Sequence, residues 1–162
     1  MRSVSKGLVM FAGLLAVPGG NGDAGQPAPA GRVETDPRMV KLQKYLAQRD
    51  CPLEKYASDF IEAADANDLD WRLLPSISVI ESGGGKEYIN NNVFGWDSCR
   101  QRFPTVRAGI HIVASRLANS DLYRGKDLDD KLRTYNPVVE SYPSMVKAVM
   151  RSISPAPAMS VN

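Results

Sequence analysis

Histidine occurs once in this 162-residue chain and cysteine only twice. With His111 as the single imidazole, a metal centre is not expected, because zinc-type sites draw on several Cys and His together. Neither sign of charge is in excess: 20 Lys and Arg stand against 18 Asp and Glu, a net of +2. Setting aside Arg2, Lys6 and Asp23 of the first thirty residues leaves eighteen basic and seventeen acidic side chains, a net of +1. That balance argues against a dedicated nucleic-acid binder. No run alternates apolar and polar residues in the manner of a half-buried strand. Aromatic residues make up 7% of the chain, so those that fall in non-periodic stretches draw notice.

The apolar run Gly7 to Val17 has eleven residues, too few to cross a bilayer comfortably, and it follows Arg2 and Lys6. This is the layout of a secretory signal peptide over residues 1–30, with Ala28 and Ala30 as small residues near a cleavage point and an uncleaved N-terminal anchor as the alternative. Either way the domain is expected to be exported, to the periplasm or cell envelope. Residues 31–36 continue a Gly-, Pro- and Ala-rich linker, and residues 154–162 make a tail expected to be disordered. Between them, residues 37–153 are one domain with room for a modest core.

Within that domain the periodicity is helical. Asp36-Pro37 is a cap and first-turn proline for a short helix through Met39, Leu42 and Leu46. Pro52 opens a second, with Leu53, Tyr56, Ala57, Phe60, Ile61 and Ala64 inward and an acidic face of Glu54, Asp59, Glu62 and Asp65 that reads as solvated. Thr105 caps a helix with Ile110, Val113, Ala114 and Leu117 inward, which leaves His111 with Arg107 and Ser115 on another, surface stripe. The local arginines Arg100, Arg102 and Arg107 either meet acidic groups of a substrate or offset the acidic helix. Asp127 starts a short helix ending at Tyr135, and Tyr142-Pro143 opens the last, with Val146, Val149, Met150 and Ile153 inward. Cys51 and Cys99, in an exported chain, are expected to form a disulfide.

The most informative stretch is Asp70 to Trp96, DWRLLPSISVIESGGGKEYINNNVFGW. Asp70 suits an N-cap, and Leu73, Leu74, Ile77 and Ile80 form an apolar stripe. Glu81 continues that stripe, four residues after Ile77, and Gly83 to Gly85 end the helix behind it. A carboxyl facing a core at a helix C-terminus is expected to hold its proton more tightly and so to serve as a general acid. A Glu swung out to solvent is the plainer alternative. The loop from Gly83 to Thr105 carries Asn90, Asn91 and Asn92 with Phe94 and Trp96, amide groups and flat apolar faces that suit sugar rings. Phe94 fits the core equally well, and a small hairpin is possible between Tyr88 and Trp96.

WRLLPSISVIESG followed by NNVFGW, FPTVRAGI and the late YNP and YPSMVKAVMRSI segments resembles the lysozyme-like enzymes that cut bacterial cell-wall glycan, in particular endo-β-N-acetylglucosaminidase-like domains and lytic transglycosylases. The resemblance implies a mainly α, compact lysozyme-like domain whose central helix ends in a catalytic Glu, here Glu81. It implies a monomeric peptidoglycan hydrolase without cofactor. Ser82, Asn92, Phe94, Trp96, Tyr135 and Tyr142 are then the candidate substrate contacts, with Tyr135 or Tyr142 near Glu81 to hydrogen-bond its carboxyl or the substrate's acetamido group. Candidates for a second acid are Glu87, Asp97 and Glu140. The lobe that presents one in the glucosaminidases is short or missing here, so the substrate's own acetamido group is expected to take that role. The alternative is a wall-binding module that keeps the fold without the chemistry.

Overall fold

The computed structural model describes residues 35–155. The expected signal peptide, most of the linker and the tail beyond Pro155 lie outside these residues. Six α-helices and one short 3₁₀ helix account for the regular structure: α1 (Pro37–Ala47), the 3₁₀ helix (Pro52–Tyr56), α2 (Ala57–Asp65), α3 (Leu73–Ser82), α4 (Val106–Asn119), α5 (Leu128–Tyr135) and α6 (Tyr142–Ile153). Among the described residues there is no strand, and the stretch considered for a hairpin is a succession of turns.

Most starts follow the capping chemistry. Asp36 accepts the Arg38 N–H at 2.8 Å, Thr105 that of Ala108 at 3.0 Å, and Asp127 that of Asp130 at 2.8 Å. Each supplies an acceptor to a first-turn donor that the helix cannot satisfy itself. Asp70 departs from expectation. It sits two residues too early and accepts from Arg72 N at 2.9 Å, bracing the turn before α3, whose own N-cap position is Arg72 without a side-chain cap. Pro52 likewise starts the 3₁₀ helix, and α2 proper begins five residues later.

The α3 helix is the axis of the fold, packed against α6 on one side and α2 on another, while α2 is covered in turn by α4 and α1. It is buried nearly all round. Leu73, Leu74 and Ile77 are core, as expected, but so are Pro75, Ser76 and Ser78, and Ile80 is only half-buried. Pro75 is tolerated because the N–H it lacks belongs to the first turn, where no carbonyl waits for it. Buried serines inside a helix need acceptors. Ser78 Oγ donates back to the Pro75 carbonyl at 2.8 Å.

At the C-terminus Ser82 Oγ shares its proton between the carbonyls of Ser78 (2.9 Å) and Val93 (2.8 Å) and accepts the Gly85 N–H at 3.1 Å. Ser82, considered above as a substrate contact, is therefore a buried latch between α3, the glycine turn and the following loop. The turn itself runs through left-handed backbone, and a Cβ on Gly84 would stand 2.5 Å from Cys51 Sγ. Cys51 packs its buried thiol there, within reach of the Gly83 carbonyl at 3.6 Å, and burial pushes that thiol above its ordinary value. The disulfide expected from sequence is not present: Cys51 and half-buried Cys99 are both free thiols.

Removing the Ser82 hydroxyl should strand the Val93 carbonyl and the Gly85 N–H in the interior. Ser82→Ala is expected to lower unfolding free energy by about 1–3 kcal/mol in urea titration, with little change in slope.

Candidate active site

Glu81 is the next-to-last residue of α3, half-buried, and its two carboxylate oxygens are held by different means. Oε1 accepts a hydrogen bond from the Tyr142 phenol at 2.6 Å. Oε2 rests against the backbone of Gly95, where an added Cβ would lie 2.7 Å away. Tyr142 reaches Glu81 because it begins α6, which packs along α3; its ring is 2% exposed.

The carboxylate opens on a groove of about 750 Å³. It is lined by the loop after α3, with Gly95, Trp96, Asp97, Ser98 and Gln101, and by the end of α5 and the residues after it, with Tyr135, Asn136 and Val138. Arg116 of α4 and the Leu122-Tyr123 turn complete the lining. The aromatic groups form a continuous file. Tyr123 lies 5.8 Å from Trp96, Trp96 meets Tyr135 edge to face at 5.5 Å, and Tyr135 stacks nearly parallel on Tyr142 at 5.9 Å. These separations fall in the attractive range for aromatic pairs. The Tyr135 hydroxyl donates to the Phe94 carbonyl, so it braces the loop instead of Glu81. The Arg116 guanidinium sits 5.7 Å over the Trp96 ring and reaches Gln101 Oε1 at 3.5 Å.

Of the expected contacts, Glu81, Trp96 and Tyr135 line the groove and Tyr142 stands directly behind the carboxylate. Asn92 and Phe94 do not open onto it. The Asn92 side chain is fully used: Nδ2 donates to the Trp96 carbonyl (2.8 Å) and the Gln101 carbonyl (3.1 Å), and Oδ1 accepts the Trp96 N–H (3.0 Å). Asn90 and Asn91 likewise donate to the carbonyls of Cys99, Phe103 and Pro104. A loop without strands must find donors for its carbonyls, and these amides supply them. Phe94 is 0% exposed and packs edge-on against Phe60 at 6.4 Å. Among the second-acid candidates, Glu87 and Glu140 are exposed away from the lining, whereas Asp97 belongs to it and pairs with Arg100.

Arg116, Tyr123 and Asn136 were not singled out from the sequence. A signal existed for the first two. Arg116 falls three residues after Val113, at the flank of the inward stripe, and Tyr123 is an aromatic in a short non-periodic turn, like Trp96.

Scanned against models of protein families, the chain matches none, and a search among curated proteins likewise gives no match.

Burial, reinforced by the nearby Glu81 charge, holds both Tyr142 and Tyr135 well above the ordinary phenol value of 10.0. The folded state thus favours the neutral phenols. Their contribution is complete below the unfolded-state value and is lost as pH rises past it toward the folded-state one. Thermal unfolding followed from about pH 8 to about pH 11 should show the midpoint falling steeply above about pH 10. Tyr142→Phe should flatten that fall.

Proposed function

We propose that this protein is an exported peptidoglycan hydrolase that cleaves β-1,4 bonds of the glycan strand with Glu81 as its general acid and base. The observation that carries the reading is a half-buried carboxylate, clamped by Tyr142, in a groove of about 750 Å³ lined by Trp96, Tyr123 and Tyr135. The ES pair at the end of a buried helix supports the resemblance to lysozyme-like enzymes, as does the order of the later segments.

In this reading Glu81 passes its proton to the departing glycosidic oxygen as the C1–O bond breaks. The substrate's acetamido oxygen captures the positive carbon, so that no second carboxylate placed like Glu81, of which there is none among the described residues, is required. Glu81, now ionised, takes the proton from an incoming water, or from a sugar hydroxyl that closes an internal anhydro ring. Asp97 is the other carboxyl on the groove wall and the residue that would serve a two-carboxylate mechanism. Arg116 offers a cation to the carboxylates of the wall's peptide stems. Arg100 and Arg107, considered for that task from sequence, are paired with Asp97 and Asp59.

The second reading, a wall-binding module without activity, is favoured by the extent of aromatic lining alone. Purified peptidoglycan separates the two. Wild-type protein should release soluble fragments, and Glu81→Gln should retain binding while losing at least about a hundredfold in rate, the usual share of general acid catalysis. Binding without any release by the wild type would assign the module. Mass spectrometry of the fragments distinguishes reducing from anhydro ends.

Gly95 supplies a finer test. Its φ of +62° and its closeness to Glu81 Oε2 mean that Gly95→Ala strains the turn, by about 1–2 kcal/mol, and displaces the carboxylate. Turnover should fall far more than the unfolding midpoint.

A further inference from the structure

Asp59 lies on the α2 face that reads from sequence as a solvated acidic stripe, yet it is only 4% exposed. The reason is α4, which packs across α2 and brings Arg107 and His111, one helical turn apart, over the carboxylate. Arg107 Nε stands 2.6 Å from Asp59 Oδ1, and His111 Nε2 stands 3.9 Å from the same oxygen. The other oxygen, Oδ2, is buried without a hydrogen-bond partner among the described residues. A carboxylate oxygen in that condition is costly, and an ion is one of the few things that relieve it.

Glu62, one turn further along α2, completes the cluster from the solvent side. Asp59, Glu62 and His111 each offer a ligand atom, and the three atoms all lie within 4.8 Å of one another. One imidazole nitrogen and two carboxylate oxygens are a ligand set for zinc or a similar divalent transition ion. Calcium and magnesium are poorer candidates, since they take oxygen ligands throughout. The two carboxylates also match the charge of a divalent ion. Arg107 now supplies positive charge in its place, but its side chain is 67% exposed and on a flexible stem, so it can withdraw into water.

We propose that Asp59, Glu62 and His111 form a zinc site that ties α2 to α4. From sequence a lone histidine is not expected to make a metal site; in the fold the packing of two helices sets that histidine beside two carboxylates. The proposal does not depend on the glycosidase reading.

The test is calorimetric titration of ZnCl₂ into the full, tag-free chain after dialysis against a chelator, with thermal unfolding in parallel. One equivalent should bind, with a rise in midpoint. His111→Gln should weaken binding by more than about tenfold, because even outer-shell partners of metal ligands are worth about 10- to 100-fold. His111 is half-exposed, so this variant should fold even if Asp59→Asn does not. Arg107→Ala should bind zinc as tightly as the wild type or more tightly, since a competing cation is gone. The proposal is overturned if the wild type shows no saturable binding. It is equally overturned if His111→Gln keeps full affinity, which would put the metal elsewhere, for instance on the thiols, or if Arg107→Ala abolishes binding.

Discussion

The arrangement depends on how the end of α3 is held. A carboxylate at the last turn of a buried helix faces exposed carbonyls of its own helix and has few natural partners. Here Tyr142 gives one oxygen a short hydrogen bond and Gly95 limits the other by contact. The two constraints come from separate parts of the chain after Glu81, the loop following α3 and, much later, the first turn of α6. Glu81 therefore has a fixed direction only when both α6 and that loop are docked. Ser82, one residue on, bonds the same loop through the Val93 carbonyl, so the anchor and the functional group are adjacent.

That loop is held by side-chain hydrogen bonds instead of regular structure. Asn90 and Asn91 adopt left-handed backbone, as do Asp97, Ser98 and Cys99, and such a path leaves many carbonyls pointing inward. Asparagine amides close the account: Asn90 spans to Cys99, Asn91 to Phe103 and Pro104, Asn92 to Trp96 and Gln101. Phe94, driven into the core beside Phe60, anchors the centre. With its amides spent internally, the loop meets a ligand mainly through Trp96, Asp97, Ser98 and Gln101.

Much of this was legible in the residues. The starts of α1, α4 and α5 follow from Asp36, Thr105 and Asp127, because a cap is a local event within three residues. The half-buried position of Glu81 at the end of α3 was legible because a four-residue step from Ile77 is also local. The roles of Ser82, Asn92 and Phe94 were not, since a hydroxyl, an amide or a ring is equally suited to a sugar and to the protein's own backbone or core. Which one wins is decided by partners such as Val93 and Gln101, whose placement periodicity does not encode. Asp59 shows the same limit in reverse. Its helical face looked solvated, and only the packing of α4 against it, some fifty residues later, turns it into a buried ionic site.

Trp96 illustrates why a groove of this kind needs its whole lining. Its indole is flanked by Tyr123 and Tyr135, and the Arg116 guanidinium lies over its ring, so little of the face is left free for stacking. Its packing is then chiefly internal: Arg116 lies over it, and it abuts Tyr135, which in turn stacks on Tyr142. Aromatic pairs fixed at five to six ångströms transmit displacement poorly but resist it well. The file of rings thus runs from Tyr123 through Trp96 and Tyr135 to Tyr142, whose hydroxyl holds the Glu81 carboxylate at the groove.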